Sequence, residues 1–499
     1  MSDYDAIIIG AGNGGLTAAL TVANAGRKVL LLEKHNVPGG CATSFIRGRF
    51  EFEVALHQLS GMGAPDKPGP LLSVLDTLGV TPKLELVKHP NLYRTIIPGA
   101  FDFTLKADRE ILVNDLQKQF PKEKDAIIKF INLIYDFSTQ MIGGLLMKDP
   151  KFSKENHPIY FKYALKSLRE VVNEFFVDPY LKAAIEAYWG YTGAPPSKMP
   201  FSDFAIMLFA YIELKSYHLK GGSQSLSNAL LDGFIGAGGE VRFNCDVKKI
   251  EVKNGKVTGV LTEDGERIST NHIVSNASTV RTYIDLMDPE NIPQSALNQF
   301  KATNVGISAT IVYLGLDCKP EKIGIHEAMS MITTEPDGDK VATSFKTLDA
   351  PKLCALSCYN ECGAAFAPAG TSQLAIVTLQ YADPWYTIPA HRYHDIKYRI
   401  ANSLVDLCES AFPGLRDHIE EAEVATPLTC MRYLGHPGGA IYGMDNLAKD
   451  SRLFVSKKSP IEGLYFAGAW VTTGGFEPTL EAGWSAGKAV VTDLEKSRV

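Results

Sequence analysis

Residues 5–33 of the chain read DAIIIGAGNGGLTAALTVANAGRKVLLLE. An apolar run with strand character, residues 5–9, leads into a glycine-rich turn and then into residues 16–25, which have helical character. A second apolar run, residues 29–32, ends on Glu33. The turn contains Gly10, Gly12, Asn13, Gly14 and Gly15. A strand, a Gly-x-Gly-x-x-Gly turn, a helix, a strand and an acid in this order are typical of a dinucleotide-binding βαβ unit.

Each residue of this pattern has a physical reason. Gly10 permits the tight turn, Gly12 lets a pyrophosphate approach the backbone, and Gly15 lets the helix pack closely on the strand. The N-terminus of the helix offers unpaired N–H groups to the phosphates. A carboxylate at Glu33 accepts hydrogen bonds from both hydroxyls of an adenosine ribose and repels a 2′-phosphate. The alternative, an ordinary βαβ turn, does not account for Glu33.

Composition limits the class of protein. With 499 residues, of which 45% are hydrophobic, the chain is long enough for two or three cores. A net charge of −6 and the lack of a basic run argue against nucleic-acid binding. The 8 cysteines are scattered without a Cys-x-x-Cys pair, so we expect free thiols, no metal site and a reducing, cytoplasmic setting. Residues 1–5 do not resemble a cleavable leader, and no apolar run is long enough to span a bilayer.

The segment after Glu33 favours FAD over NAD as the dinucleotide. Residues 34–44 read KHNVPGGCATS and place a Gly-Gly turn directly beyond the ribose-binding acid, where FAD enzymes continue the cofactor site toward the flavin. The predicted cofactor contacts in this segment are Lys34, Gly39, Gly40, Cys41, Ala42 and Thr43. Because no second unit of this kind follows, a separate NAD(P)H domain is not expected, although NAD(P)H or another external electron partner stays an alternative.

Later parts of the chain again have the pattern of a dinucleotide-binding domain. Residues 246–252 and 256–262 form a predicted hairpin, residues 272–275 another strand of the parallel sheet, and residues 463–468 a strand that ends in glycine. The final predicted helix, residues 480–491, turns its N-terminal amides toward the flavin ring. The predicted cofactor contacts in these parts are Val247, Asn276, Ala277, Gly468, Ala469, Glu477, Pro478 and Thr479.

The middle of the chain predicts a second sheet and a helical insertion. Residues 92–97 and 101–105 alternate like a hairpin, and the further β-rich stretches are residues 306–316, 326–332, 353–359 and 373–379. Residues 108–219 are mostly helical and are punctuated by prolines. The aromatic residues of this insertion suit core helices, with a membrane-surface face or the lining of a lipid tunnel as alternatives: Phe130, Tyr135, Phe137, Phe201, Phe204, Phe209 and Tyr211.

Together these motifs resemble the phytoene desaturase, carotenoid isomerase and retinol saturase family of flavoproteins, from end to end. Besides the N-terminal pattern, the resemblance rests on residues 221–223 (GGS), 274–277 (VSNA), 433–443 (YLGHPGGAIYG) and 463–468 (GLYFAG). Residues 52–61 resemble the retinol saturase version, which carries a histidine at the position of His57. The chain departs from the family at Glu53 and Ala55, where Asp and Gly are usual, and carries Trp470, Glu477 and Glu481 near the flavin end. These departures leave the substrate and the direction of reaction open.

The resemblance implies an α/β fold with a Rossmann-type, glutathione reductase-like FAD domain, an antiparallel-sheet substrate domain and a helical cap. The predicted FAD domain is discontinuous and comprises residues 1–90, 220–285 and 426–499. The substrate domain comprises residues 91–107 and 286–425, and residues 108–219 form the cap or a membrane-facing insertion.

The resemblance also implies an FAD-dependent oxidoreductase that acts on carbon–carbon bonds of a long apolar polyene, isoprenoid or retinoid-like lipid, by saturation, desaturation or cis/trans isomerisation. The substrate enters a tunnel between the cap and the sheet, and peripheral membrane association is an alternative. The candidate catalytic residues are His57, Tyr442 and Glu477. The alternative role is core packing for His57, turn packing for Tyr442 and a charge at a helix N-terminus for Glu477. A flavin amine oxidase or porphyrinogen-type oxidase and a lipid- or prenyl-binding protein are the competing hypotheses. The oligomeric state is not predicted.

Overall fold

A computed structural model describes residues 2–64, 66–363, 366–448 and 459–496. Residues 1, 65, 449–458 and 497–499 of the predicted FAD domain and residues 364–365 of the predicted substrate domain lie outside the described residues. The described strands form two large sheets and several small ones, which agrees with the predicted α/β fold. The division of the chain into three domains stays a prediction.

A five-stranded parallel sheet is built around the first strand of the chain. In spatial order its strands are Glu240–Arg242, Val29–Leu32, Ala6–Ile9, Ile273–Ser275 and Leu464–Phe466. The two central strands from the N-terminal unit are fully buried, which is why they appear as continuous apolar runs. The predicted strand–turn–helix–strand unit is therefore confirmed.

Three helices of this region lie together. They are Asn13–Asn24, Gly222–Gly236 and Phe476–Lys496, and the second and third both pack against the first. Two glycines four residues apart allow the last helix to approach the first: a Cβ on Gly483 would overlap the carbonyl oxygen of Gly14, and one on Gly487 would lie 2.6 Å from Cβ of Thr21. This contact brings the tail of the chain to the N-terminal turn.

A small antiparallel sheet follows the second of these helices. Its strands are Val247–Lys253, Lys256–Thr262 and Arg267–Ser269. Asn254 and Gly255 form the hairpin turn with φ values of 51° and 76°. Left-handed residues at both positions suit the right-handed twist of a hairpin, and the predicted hairpin is confirmed.

The second large sheet has seven strands. In spatial order they are Ile419–Ala425, Ser308–Leu316, Ser372–Gln380, Leu353–Cys358, Met329–Thr333, Asn91–Ile97 and Phe101–Lys106. All neighbouring pairs are antiparallel except Met329–Thr333, which runs parallel to Asn91–Ile97. The prediction of an antiparallel sheet therefore holds with one exception. The exception arises because the two strands are joined by more than 200 residues of chain, so no tight turn fixes their directions.

A group of helices covers one side of this sheet. They are Arg109–Gln119, Lys124–Met141, Pro158–Tyr163, Leu168–Phe175, Pro179–Glu186, Trp189–Thr192 and Phe201–Glu213. The helical part of the predicted cap ends at Glu213, because Ser216–Leu219 is a strand that pairs antiparallel with Leu86–His89. The helix Tyr393–Ala411 packs against strands of the seven-stranded sheet. The other helices are Pro70–Thr77, Gln294–Ala302, Gly338–Ala342, Asp383–Tyr386 and Pro427–Leu434, and two short hairpins pair Ser44–Arg47 with Phe50–Glu53 and Gly63–Ala64 with Lys67–Pro68.

Most aromatic residues of the cap belong to its core. Of the seven aromatic residues named from the sequence, four are fully buried there: Phe130, Phe137, Phe201 and Phe204. The alternative of a membrane-surface face is therefore wrong for these four residues, because their rings pack against cap and sheet residues instead of solvent. Phe209 and Tyr211 line a cavity, as the tunnel alternative expects. Within the described residues, no helix has both the length and the apolar character needed to span a bilayer.

The cysteines that the structure describes in full are free thiols, as predicted: Cys41, Cys245, Cys318, Cys354, Cys358, Cys408 and Cys430. Two of them are neighbours in the core, since the Sγ atoms of Cys354 and Cys408 lie 3.5 Å apart. A cytoplasmic location stays a prediction.

Glu53, which departs from the family pattern, connects the Phe50–Glu53 strand to the N-terminus of the Gly222–Gly236 helix. Its buried carboxylate accepts hydrogen bonds from the N–H groups of Ala55 (3.1 Å), Leu56 (3.0 Å) and Ser223 (2.7 Å), and from the Ser223 hydroxyl (2.6 Å). The helix has no capping side chain of its own, so Glu53 supplies the acceptor that its first turn lacks. Gly222 has a φ of +66°, and a Cβ there would overlap the Glu53 carboxylate.

We expect Glu53→Ala to lower the free energy of unfolding by about 3 kcal/mol or more, because the buried N–H groups of Leu56 and Ser223 and the partly buried N–H of Ala55 lose their acceptor. Urea denaturation midpoints measure the effect. Glu51→Ala is the matched control, since Glu51 lies in the same strand, is partly exposed and accepts one hydrogen bond, from the Ser44 hydroxyl, among the described residues. Its cost should stay at about 1 kcal/mol or less. Equal losses in the two variants would contradict the capping role.

Candidate active site

The carboxyl ends of four parallel strands meet at one crevice. Ala6–Ile9 ends at Gly10, Val29–Leu32 at Glu33, Ile273–Ser275 at Asn276, and Leu464–Phe466 shortly before Gly468. Open α/β sheets bind their ligands in a crevice at this edge. The fold therefore brings together residues that are up to 458 positions apart in the sequence, from Gly10 to Gly468.

The glycines of the N-terminal turn are packed against the crevice walls. A Cβ on Gly12 would lie 2.6 Å from Nδ2 of Asn276, and one on Gly14 would lie 2.5 Å from the backbone nitrogen of Gly468. A Cβ on Gly15 would overlap the carbonyl oxygen of Gly10, which is the close helix–strand packing that the sequence predicts. Side chains at these positions would therefore fill the crevice or push its walls apart.

Glu33 is held in place by backbone groups. Its carboxylate is 6% exposed and accepts hydrogen bonds from the N–H groups of Ala11 (2.6 Å) and His35 (2.8 Å). Because a carboxylate oxygen can accept two hydrogen bonds, each oxygen keeps a lone pair for a further donor. The geometry suits the two hydroxyls of a ribose.

The N-terminus of the Asn13–Asn24 helix is open to a ligand. Its N-cap residue is Gly12, and no side chain caps the first turn. The Oδ1 atom of Asn13 is buried without a hydrogen-bond partner. Free N–H groups at a helix N-terminus bind anions, and an unpaired buried oxygen indicates a missing donor, so the turn fits a pyrophosphate with its attached groups.

A cavity of about 3020 Å³ extends from this crevice to the cap. Pockets for small ligands and cofactors are usually about 300–1,000 Å³, so this one has room for a dinucleotide and a second, long ligand. Gly15 does not line it, but all other predicted cofactor residues do: Gly10, Gly12, Asn13, Gly14, Glu33, Lys34, Gly39, Gly40, Cys41, Ala42, Thr43, Val247, Asn276, Ala277, Gly468, Ala469, Glu477, Pro478 and Thr479. Toward the cap its walls become apolar, with Met199 and Met207 facing Met329, Met331 and Leu353 of the seven-stranded sheet.

Glu477 lies in the first turn of the last helix and in the cavity wall. Its carboxylate accepts a hydrogen bond from the Ser60 hydroxyl, and a Cβ on Gly61 would overlap the same carboxylate. Burial raises the pKa of Glu477 to about 7, the hydrogen bond from Ser60 lowers it, and the neighbouring Glu481 raises it. A carboxyl group that titrates near neutral pH can hold or give up a proton, as a general acid or base must.

Tyr211 lies close to Glu477, and Tyr442 lies close to Tyr211. The Tyr211 hydroxyl donates a hydrogen bond to the carbonyl oxygen of Gln58 (3.5 Å), and burial together with the Glu477 charge raises the pKa of Tyr211. Tyr442 packs on Gly474, where a Cβ would lie 2.7 Å from its ring, and burial raises its pKa. Both phenols therefore stay protonated at neutral pH.

His57 has a different environment. Its Nδ1 forms hydrogen bonds with the hydroxyls of Ser357 (2.8 Å), in the Leu353–Cys358 strand, and of Tyr359 (3.0 Å), which directly follows that strand. Burial, with a smaller contribution from His218, lowers the pKa of His57 to about 4. A neutral imidazole fixed in this way is a hydrogen-bonding group, which favours Glu477 over His57 as the proton donor. The catalytic roles of His57, Tyr442 and Glu477 stay predictions.

Sequence reasoning missed the residues that orient this part of the site. Gln58 accepts hydrogen bonds from the hydroxyls of Tyr188 (3.0 Å) and Tyr191 (3.1 Å), and Ser60 binds Glu477. One signal was available for Ser60, because the adjacent Gly61 has a φ of +74° that only glycine adopts easily. Glycine there also leaves the space that the Glu477 carboxylate occupies.

Comparison with known proteins assigns the chain to a family. The family model for flavin containing amine oxidoreductases matches residues 14–491. The chain belongs to this family. It is 24% identical to the all-trans-retinol 13,14-reductase of Danio rerio over 98% of this chain and 86% of the relative. It is 26% identical to the chloroplastic prolycopene isomerase of Daucus carota over 93% of this chain and 76% of the relative.

The fold of this flavin-containing amine oxidoreductase family member also matches a solved structure. An oxidoreductase from Methanosarcina mazei superimposes with a TM-score of 0.66 and 16% identity over 98% of this chain and 99% of that one. The predicted Rossmann-type fold and the predicted kinship with retinol- and carotenoid-converting flavoproteins are therefore confirmed.

The flavin of this family member is FAD, because its N-terminal turn has the dinucleotide pattern that FMN does not need. We predict that the turn at Gly12 and Gly14 would hold the pyrophosphate, Glu33 the ribose, and the tail around Gly468 and Glu477 the flavin end. The open helix N-terminus, the unpaired Asn13 oxygen and the close glycine packing fit this group. Bound FAD would supply two-electron chemistry by exchanging a hydride with the substrate.

Proposed function

We propose that this flavoprotein changes carbon–carbon double bonds of a long apolar polyene or isoprenoid lipid. The observation that carries the proposal is the apolar end of the cavity, which lies between the Phe201–Glu213 helix and the seven-stranded sheet and is continuous with the cofactor crevice. A lipid chain placed there buries its apolar surface, which is the main favourable contribution to its binding. The relatives named as a retinol reductase and a prolycopene isomerase support the same class of substrate.

Different side chains of the cavity bind the substrate and transfer the proton. The methionines and aliphatic side chains of the cavity bind the polyene and exclude water. Saturation requires a hydride at one carbon and a proton at its neighbour, and desaturation removes the same two particles. We propose that Glu477 gives or takes that proton, and that the hydrogen bond from the Ser60 hydroxyl orients its carboxyl group. Isomerisation needs no net transfer of a hydride or a proton.

The proposal is tested by reducing the bound FAD without oxygen and adding a long polyene to the reduced enzyme. If the enzyme is a saturase, we expect the flavin to reoxidise with a product that is heavier by two hydrogens. If it is an isomerase, we expect an isobaric product while the flavin stays reduced. Desaturation would show the opposite pattern, with only the oxidised enzyme changing the polyene. Mass spectrometry of the product, together with the flavin absorbance, separates the three outcomes.

A flavin amine oxidase is the second candidate function, because the matching family carries that name. This function predicts that primary amines reduce the oxidised flavin and that hydrogen peroxide forms in air. If amines do so while no polyene reacts with either redox state, the proposal of polyene chemistry is wrong. A purified protein that binds lipid but no flavin would instead support the lipid-binding alternative.

A further inference from the structure

Asp317, Cys318 and His418, here called the edge cluster, meet where two strands of the seven-stranded sheet begin and end. Asp317 and Cys318 directly follow the Ser308–Leu316 strand, and His418 directly precedes the edge strand Ile419–Ala425. Because the two strands are antiparallel, the end of one lies beside the start of the other. The N–H of Asp317 also donates to the carbonyl oxygen of His418 (3.0 Å). Strand pairing therefore joins residues that are 101 positions apart, Asp317 and His418.

The side chains of the edge cluster offer three potential metal ligands. A carboxylate oxygen, a thiol sulfur and an imidazole nitrogen all lie within 4.8 Å of one another. Nδ1 of His418 and Oδ1 of Asp317 are the closest measured pair, at 2.7 Å. Two ligands of a tetrahedral Zn²⁺ are roughly 3.3–3.6 Å apart at bond lengths of about 2.0–2.3 Å. Shifts of about 1 Å in the side chains would therefore bring the three atoms to coordinating distances.

The mixture of ligand types favours Zn²⁺ over the other common divalent ions. Thiolate sulfur and imidazole nitrogen are typical zinc ligands, whereas Mg²⁺ and Ca²⁺ prefer oxygen alone. Cys318 is 5% exposed and faces the core, while the side chains of His418 and Asp317 are 20% and 56% exposed. The cluster thus reaches from the core to the solvent, where a water molecule can complete a tetrahedral site.

The charges around the edge cluster are compatible with a divalent cation. Burial raises the pKa of Cys318, Asp317 raises it further and Lys322 lowers it. A coordinating thiol loses its proton to the metal, so Cys318 and Asp317 would together supply two negative charges. Arg49 acts on Asp317 from nearby, but its guanidinium already donates to both carboxylate oxygens of Glu420 (2.8 and 2.5 Å). The cation of this pair is therefore compensated without Asp317.

We propose that the edge cluster binds one Zn²⁺ ion, which fixes the start of the edge strand Ile419–Ala425 to the end of the Ser308–Leu316 strand. A site of this kind does not exist in an unfolded chain, so the bound ion stabilises the folded state. Sequence analysis expects no metal site, because the ligands come from two distant segments without a short ligand motif. The three residues do not line the cavity, so this inference goes beyond the proposed function and does not depend on it.

The test measures Zn²⁺ binding to the holoenzyme after dialysis against a chelator, with a phosphine reductant present. We expect one Zn²⁺ per chain. Cys318→Ser should weaken binding by at least about 100-fold, because losing an outer-shell partner alone costs about 10- to 100-fold. Since Cys318 is buried and its replacement also affects stability, the partly exposed His418 provides a second variant, and His418→Gln should show the same loss. Co²⁺ in place of Zn²⁺ should give a thiolate-to-cobalt charge-transfer band that Cys318→Ser lacks.

Cys245→Ser is the matched control. Cys245 is also a free thiol with acidic neighbours, Asp246 and Asp264, but it belongs to no group of three potential ligands among the described residues. It should bind Zn²⁺ like the parent. No Zn²⁺ on the parent, or equal binding by the parent and His418→Gln, would overturn the site.

Hydrogen exchange tests the effect of the ion on the edge strand. Amides of residues 419–425 should exchange more slowly when Zn²⁺ is added to the parent holoenzyme, because the ion holds the start of this strand in place. Unchanged exchange in a protein that binds Zn²⁺ would overturn the fixing of the strand. The flavin assays with polyenes do not involve these residues, so failure of the zinc site leaves the proposed function standing.

Discussion

Replacing Glu477 with Gln is expected to slow turnover of the polyene by about 10²- to 10⁴-fold, because the variant loses the group that gives or takes a proton. The glutamine keeps the shape of the side chain and a partner for Ser60, so FAD content and folding should stay unchanged. The measurement is the rate at which the reduced flavin reoxidises when polyene is added in the absence of oxygen.

The pH dependence of that rate should identify Glu477. Burial and Glu481 raise its pKa, Ser60 lowers it, and the result is about 7. As a proton donor Glu477 must be protonated, so the rate of saturation should fall as the pH rises through about 7. In desaturation it accepts a proton and the rate should rise over the same range. The nearby Tyr211 and Tyr442 have raised pKa values and stay protonated there. Glu477→Gln should remove the pH dependence.

Glu495→Gln serves as the control for this variant, since Glu495 is an exposed acid near the other end of the same helix. It should keep both the rate and the pH profile of the parent. A Glu477→Gln protein with the rate and pH profile of the parent would exclude Glu477 as the proton-transfer group. Glu477 would then act only as a negative charge at the N-terminus of its helix, which contributes a few tenths to about 1 kcal/mol to stability.

Replacing Glu33 with Ala should weaken FAD binding by at least about 100-fold, because hydrogen bonds to a charged group contribute about 1.5–3 kcal/mol each. The ribose would lose its acceptor, and the N–H groups of Ala11 and His35, which now donate to Glu33, would be left without partners. The turn that holds the pyrophosphate would therefore lose its support together with the ribose. Flavin absorbance per polypeptide after dialysis measures the occupancy.

Glu240→Ala is the matched control for the Glu33 variant. Glu240 lies on the neighbouring strand of the parallel sheet, but its carboxylate accepts from the Tyr4 hydroxyl and from Arg242 instead of facing the cavity. It should retain the flavin content of the parent. Full occupancy in Glu33→Ala would show that the ribose lies elsewhere.

The parts of the fold that could be predicted from sequence are those whose pattern is local. The N-terminal unit is specified by glycines and apolar runs within about thirty residues. Its strands are buried on both faces, so the continuous apolar runs in the sequence correspond to the buried strands in the structure. The hairpin at Asn254 and Gly255 is specified in the same way by its turn residues.

The parts that sequence could not provide depend on long-range pairing. Ser60 and Glu477 are 417 residues apart, and nothing in either local pattern indicates that they form a hydrogen bond. The aromatic residues of the cap gave an ambiguous pattern, because an apolar helix face looks the same whether it meets a core, a cavity or a membrane.

The central claim is that one continuous cavity holds FAD at its crevice end and an apolar chain at its cap end. A crystal structure of the holoenzyme with a bound unreactive polyene analogue tests it most directly. We expect the pyrophosphate at Gly12 and Gly14, and the analogue between the Phe201–Glu213 helix and the seven-stranded sheet, with one of its carbons next to Glu477. An analogue bound outside this space, or a pyrophosphate bound away from the N-terminal turn, would contradict the account.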